Sequence, residues 1–254
     1  MRILITNDDG IMSEGIITLA RMVSKIAEVH VVAPDVERSA TGHAITIRNP
    51  LWAKEVKFGS EFFGYAVNGT PADCVKLGIQ AILKNKKVDL VLSGINKGAN
   101  LGTDLMYSGT VSGALEGALM EVPSIAISSC STSNPNFASA AKVVIELIKK
   151  LDLDEFPKFS ALNINVPATS YDELKGYKLT RQSKRRFQDF FEARKDPFGN
   201  TYYWMLGEII EDDPGEDADY HAVKSNYVSV TPITIFHNDL KFMKKLEKIF
   251  PSNE

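Results

Sequence analysis

The feature that most constrains this chain is its opening. An apolar run, Ile3-Leu4-Ile5, ends abruptly at Thr6-Asn7-Asp8-Asp9-Gly10, a polar cluster with two adjacent carboxylates and a glycine that lets the backbone turn. From Ser13 to Ile26, the residues Ile16, Leu19, Ala20, Val23 and Ile26 recur at helical spacing. Glu28-Val29-His30-Val31-Val32-Ala33 then reads as a second strand stopped by Pro34, with His30 structural. Strand, helix and strand within about thirty residues form a βαβ unit, whose right-handed crossover makes the strands parallel. Open parallel sheets hold their ligands at the strands' carboxyl ends, which is where Asp8 and Asp9 stand. Two like charges side by side are costly unless a cation lies between them, and a divalent ion is the usual remedy. A solvated acidic turn would look the same, so the decision falls to the rest of the chain.

The polar loop Pro34–His43 leaves the second strand on the same edge. Short β-like stretches at Ile45–Arg48, Trp52–Lys57 and Phe63–Val67 read as an antiparallel excursion. Thr70-Pro71-Ala72-Asp73 opens a helix well: Thr70 can cap, Pro71 suits the first helical position and Asp73 favours its positive end. Val88–Ser93 is another buried strand, followed by the glycine- and asparagine-rich loop Gly94–Asp104, whose length marks it as functional. In the helix that follows, Gly109, Gly113 and Gly117 recur every four residues, at a cost of ~1 kcal/mol each relative to alanine. Close packing accounts for Gly113 and Gly117. At Ser108-Gly109-Thr110, free N–H groups and small hydroxyls suit a phosphate. A strand at Pro123–Ser128, a helix at Phe137–Leu151 and a strand at Ser160–Pro167 complete a Rossmann-like, doubly wound α/β core over residues 1–170.

Residues 171–254 have a different character and read as a C-terminal oligomerisation extension of the same functional unit. Lys178–Ser183 suggests a strand, and Phe187–Glu208, centred on Asp196–Asn200, a long β-hairpin with aromatics on both arms. Basic and stacking residues are interleaved here, as on a nucleic-acid surface. A hairpin docked on a second copy explains the same aromatics and fits the net charge of -3 better, so no nucleic-acid polymer is expected. The acidic run Glu211–Asp217 reads as a solvated loop, lacking the spacing of an EF-hand. A strand near Tyr227–Thr231 and an amphipathic helix over Asp239–Phe250, with Leu240, Met243, Leu246 and Phe250 on one stripe, close the chain. No apolar run approaches the ~20 residues of a membrane span, and no signal peptide is evident. Cys74 and Cys130 form no CxxC and read as small buried hydrophobes of a reducing cytoplasm.

At the carboxyl edge, Asp8, Asp9, Ser39 and Asn96 bring two carboxylates, a hydroxyl and an amide together, with no convergence of His or Cys. Such hard oxygen donors suit Mg²⁺, Mn²⁺ or Ca²⁺ rather than Zn²⁺. Two carboxylates neutralise a dication and leave positions that a phosphate oxygen and a water could fill, as metal-assisted phosphate hydrolysis needs. Asp8 or Asp9 would accept the water's proton, Asn96 would serve metal and phosphate, and Ser108, Gly109 and Thr110 would hold phosphate oxygens. Arg38 and His43 are further candidate donors to the phosphate or leaving group.

The same residues resemble a family. Ile3–Gly10, Ala33-Pro34-Asp35, Arg38-Ser39-Ala40, Asn68–Cys74, Ser93-Gly94-Ile95-Asn96 and Ser108–Ala114 are similar, in order, to the motif blocks of the SurE nucleotidases. The resemblance covers roughly the first half of the chain. It implies a phosphatase (a 5′-nucleotidase or acid phosphatase) acting on nucleoside monophosphates, 3′ as well as 5′, and on short polyphosphate. It further implies one divalent ion per subunit on Asp8, Asp9, Ser39 and Asn96, and dimers or tetramers built by exchange of C-terminal segments.

Rival classes lack a residue each. A response-regulator-type phosphoacceptor needs a further Asp where this chain has Ser93 and Asn96; a haloacid-dehalogenase-type phosphatase needs Asp-x-Asp; a dinucleotide enzyme needs GxGxxG after the first strand. A non-catalytic nucleotide-binding module differs from the enzyme only in releasing no phosphate.

Overall fold

The computed structural model describes residues 1–59 and 62–250. Strands β1 (Arg2–Thr6), β2 (Glu28–Pro34), β3 (Ala53–Phe58), β4 (Phe62–Val67), β5 (Leu90–Lys97), β6 (Ser124–Ser129), β7 (Ser160–Val166), β8 (Tyr177–Leu179) and β11 (Val228–Thr234) form one nine-stranded sheet in the order β3-β4-β2-β1-β5-β6-β7-β11-β8. The six strands from β4 to β7 in that order run parallel, while β3 and β11 join antiparallel. Helices α1 (Glu14–Val23) and α4 (Phe137–Lys150) cover one face; α2 (Pro71–Leu77) and α3 (Gly109–Leu119) cover the other. Successive strand residues point to opposite faces, so Ile3 and Ile5 enter the core beneath α1 while Leu4, between them, packs with Cys74 and Val75 of α2. Both faces are buried, which is why the strands read as continuous apolar runs rather than alternating ones.

Helix α3 lies close to the sheet because its glycines present no side chain. A Cβ at Gly113 would stand 2.7 Å from Ser93 Oγ, and one at Gly117 2.3 Å from Ser124 Oγ. The expected opening of α2 is present as a capping box, in which Asp73 N–H donates to the Thr70 hydroxyl at 3.1 Å and Thr70 N–H to the Asp73 carboxylate at 2.9 Å. Both thiols are pushed up by burial, that of Cys130 to about 12, which suits packing rather than nucleophilic chemistry.

Four local expectations need correction. Ile45–Arg48 is not a strand: the N–H and hydroxyl of Thr46 go to the Asp73 carboxylate, at 2.8 and 2.6 Å, instead of a ladder. The excursion is antiparallel only in β3, since β4 returns parallel beside β2. The strand expected over Lys178–Ser183 is confined to Tyr177–Leu179, with Arg181 making one isolated bridge to Ala218. The acidic run is not simply solvated. Asp213 is 3% exposed and takes both terminal guanidinium nitrogens of Arg181 at 2.7 Å, Asp212 pairs with Arg186, and Glu211 with Arg185 and Lys224. The basic cluster at 181–186 thus draws the carboxylates onto itself.

The hairpin is present as β9 (Arg186–Lys195) and β10 (Thr201–Ile210), a separate two-stranded ribbon. Phe187, Phe191, Tyr203 and Met205 lie on one of its faces and Phe190, Tyr202, Trp204 and Leu206 on the other, all exposed. Past α5 (Asp219–Lys224), the last helix, α6 (Leu240–Leu246), is shorter than expected and leaves Leu240 and Met243 uncovered.

Candidate active site at the carboxyl edge of the sheet

Beyond β1 the chain turns through Asn7-Asp8-Asp9-Gly10. The fully buried Asn7 locks this turn, its amide donating to the Gly10 carbonyl at 3.0 Å and the Ser13 hydroxyl at 2.8 Å. Asp8, 5% exposed, faces the start of α3, where the Thr110 hydroxyl donates to Asp8 Oδ1 and the Thr110 N–H faces the same carboxylate. A Cβ on Gly109 would stand 2.7 Å from that of Asp8, so this approach requires glycine. Ser108 caps the helix by accepting the Val111 N–H at 3.1 Å.

Asp9 is less buried and accepts the N–H of Lys97 at 3.2 Å, which sets it beside Asn96 at the end of β5. The β5–β6 pairing slips between Ser93 and Asn96, and such a bulge re-aims the side chains that follow it. The Asn96 NH₂ donates to the Gly98 carbonyl at 2.9 Å, leaving its amide oxygen as the acceptor. The loop after β2 is tied to the same turn, since Arg38 N–H donates to the Asp8 carbonyl at 2.7 Å and Ile11 N–H to that of Pro34 at 2.8 Å. Ser39 comes with that loop, but its exposed hydroxyl donates to Glu37 Oε1 at 2.7 Å.

The local charge is unbalanced. Burial pushes the Asp8 carboxyl up against the opposing hydrogen bonds from Thr110, and Glu37 adds to the rise. Asp9 is pushed up to about 6, first by burial, then by the charge of Asp8, with Glu37 adding and Lys97 opposing. Neither carboxylate makes an ion pair among the described residues. No group of three or more His, Cys, Asp or Glu that could hold a metal occurs among them either, which leaves a mixed set of carboxylate, amide and hydroxyl oxygens. That donor set and its surplus negative charge fit a hard divalent cation.

The other expected residues surround this edge with partners of their own. His43 Nε2 lies 2.9 Å from Glu116 Oε2, and Lys76 Nζ 2.5 Å from Glu116 Oε1. Gly42, next to His43, donates to the Tyr107 carbonyl at 3.0 Å. The Arg38 guanidinium reaches Asp35 at 3.4 Å and the Asn68 carbonyl at 3.3 Å. Thr110 spends its hydroxyl on Asp8 rather than leaving it open for a phosphate. Glu37, Lys97 and Glu116 were not anticipated. Only Glu116 had a signal in the sequence, as a lone carboxylate in a helix otherwise small and apolar.

The profile of the family described as Survival protein SurE matches residues 3–189. The chain is 63% identical over 248 residues to a protein named 5'-nucleotidase SurE from Kosmotoga olearia, covering 98% of each. It is 61% identical over 247 residues to one of the same name from Petrotoga mobilis, covering 97% of this chain and 98% of that one. The crystal structure of the Sure protein from Aquifex aeolicus superposes with a TM-score of 0.84 at 43% identity, over 98% of this chain and 100% of that one.

Proposed function

The chain belongs to the SurE family, and from that premise we propose that it is a 5′-nucleotidase, a metal-dependent phosphomonoesterase that splits nucleoside 5′-monophosphates into nucleoside and phosphate. The observation that carries this reading is the pair Asp8 and Asp9, driven together at the sheet edge, both pushed up and neither neutralised by an ion pair.

Asp8, Asp9, Asn96 and, after turning away from Glu37, Ser39 would hold one Mg²⁺ or Mn²⁺ per subunit, with Ca²⁺ able to occupy the same oxygens. When bound, the ion supplies charge neutralisation to a phosphate oxygen and acidity to a water. Asp8 is held rigidly by Thr110 and serves as the fixed anchor. Asp9, more exposed and with one main-chain hydrogen bond, is the better placed to take the water's proton. The N–H groups of Ser108 and Gly109, at the start of α3, would hold the remaining phosphate oxygens, while Thr110 is committed to Asp8. His43, steadied by Glu116, and Arg38 would be further donors to the phosphate or leaving oxygen. The same site would accept 3′-nucleotides and short polyphosphate, since its proposed contacts are all to phosphate.

The exposed aromatic ribbon β9–β10 and helix α6 support a homo-oligomer, a dimer or tetramer built on the C-terminal segments. No helix among the described residues is long and apolar enough to cross a membrane; the compartment we propose is a reducing cytoplasm, which suits the two free cysteines. The test is phosphate release from a panel of nucleoside 5′-monophosphates with Mg²⁺ or Mn²⁺, with and without chelator. Metal-dependent release that the chelator abolishes is expected. Tight nucleotide binding without release would point to a non-catalytic module, and a stable phosphoprotein after acyl-phosphate treatment to a phosphoacceptor.

A further inference from the structure

A cavity of about 360 Å³ opens beside the site, lined by Asp35, Trp52, Lys54, Ala66 and Asn68. In the sheet order β3-β4-β2-β1 its walls come from the ends of β2, β4 and β3, so it begins one strand away from Asp8 and Asp9. Adjacent strands lie about 4.8 Å apart, which places the cavity roughly 5–14 Å from the acidic pair, the span from a nucleotide's phosphate across its ribose and base. Arg38 joins the two places: its main-chain N–H holds the Asp8 carbonyl at 2.7 Å, while its guanidinium rests on Asp35 and the Asn68 carbonyl at the cavity wall.

The lining has the chemistry of a nucleoside subsite. Asp35 directly follows β2, and its carboxyl can accept from two vicinal hydroxyls, as acidic residues at this point of dinucleotide-binding sheets do for ribose. Trp52 is 64% exposed and its ring makes no aromatic or cation–π contact among the described residues, although its main-chain N–H donates to Asn68 Oδ1 at 2.7 Å. An anchored backbone carrying a bare indole is a stacking platform for a flat ring. Lys54 adds one cationic donor for base carbonyl or ring-nitrogen acceptors.

We propose that this cavity binds the nucleoside moiety of the substrate, with Asp35 on the ribose hydroxyls and Trp52 stacked on the base. The inference rests on the nucleotidase reading for its substrate class, and its test is separable from that reading. Adenosine, which carries no phosphate, is titrated into the full-length protein in the presence of chelator while tryptophan fluorescence is followed. A saturable change is expected in wild type and in Asp8→Asn, and it should vanish in Trp52→Phe, which keeps Trp204 as the remaining fluorophore. An absent change, or one that survives in Trp52→Phe, overturns the proposal whether or not the enzyme proves to be a nucleotidase.

Steady-state kinetics give the second arm. Trp52→Ala should raise KM for AMP by about five-fold or more. Asp35→Asn should bring the KM values of AMP and its 2′-deoxy analogue together. Unaltered KM values in both folded variants, alongside normal AMP turnover by wild type, would contradict the proposal and leave the nucleotidase reading standing.

Discussion

Asp8 owes its position to two buried residues. Thr110 donates to its carboxylate, and Gly109 leaves the space in which the helix can come that near. Gly109→Ala should therefore lower turnover at least about ten-fold, ~1.4 kcal/mol in the barrier, although alanine is the better helix former. Unchanged kcat with unchanged metal affinity would show that Asp8 tolerates displacement. Glu116 provides a test in pH. Burial pushes its carboxyl up, but the hydrogen bonds from His43 and Lys76 outweigh burial and hold it below the ordinary 4.5. A carboxylate lowered in the folded state stabilises above its unfolded value and loses that contribution as the pH falls. Denaturant midpoints measured at pH 7 and pH 4 should thus differ more for wild type than for Glu116→Gln; equal differences would remove Glu116 from the acid transition. At this scale the sequence made types legible but not partners. Asp8, Asp9, Asn96 and Ser108 could be named from strand ends and a helix start. That Ser39 turns to Glu37, and Thr110 to Asp8, depends on neighbours brought in by loops distant in sequence.

The elements of the core were legible because β1 is an unbroken apolar run buried on both faces, while α1 and α4 are buried on a period near 3.6. Those that misled have polar groups taken by side chains distant in sequence. Thr46 is claimed by Asp73, and the acidic run by Arg181, Arg185 and Arg186. Arg185, buried at the base of β9, pairs with Asp104 and Glu211, and its carbonyl accepts the Thr103 N–H at 2.8 Å. Burial raises Asp104 even with this guanidinium beside it, so Arg185→Ala should cost about 3 kcal/mol in chemical denaturation by leaving Asp104 unpaired, while Glu211 keeps Lys224. A loss under 1 kcal/mol would mean that water replaces the guanidinium. The ribbon above it is a different case. A two-stranded hairpin with aromatics bare on both faces is marginal alone and calls for a covering surface. Replacing Phe191 and Trp204 together by Glu should shift the light-scattering mass toward a single chain while the far-ultraviolet circular dichroism stays unchanged. An unaltered mass would place the subunit contact elsewhere.

For the molecule as a whole, topology does the assembling. Parallel β1, β2 and β5 bring Asp8 and Asp9, the loop of Arg38 and Ser39, and Asn96 to one edge from positions up to 88 residues apart in the chain. That convergence follows from the handedness of the crossovers, which is why the edge could be read from the sequence while its hydrogen bonds could not. Strands β8 and β11 were less legible because they finish the same sheet from its far side. There β11 pairs antiparallel with β7, and β8 follows it in parallel. The claim on which the rest depends is that Asp8 and Asp9 bind a catalytic cation. It is tested most directly by titrating Mn²⁺ calorimetrically into wild type and Asp8→Asn, then measuring AMP turnover on the same samples. Wild type is expected to bind about one ion per subunit and turn over, with the folded Asp8→Asn variant losing most of both. Near-normal turnover in a folded, metal-saturated Asp8→Asn protein would contradict it.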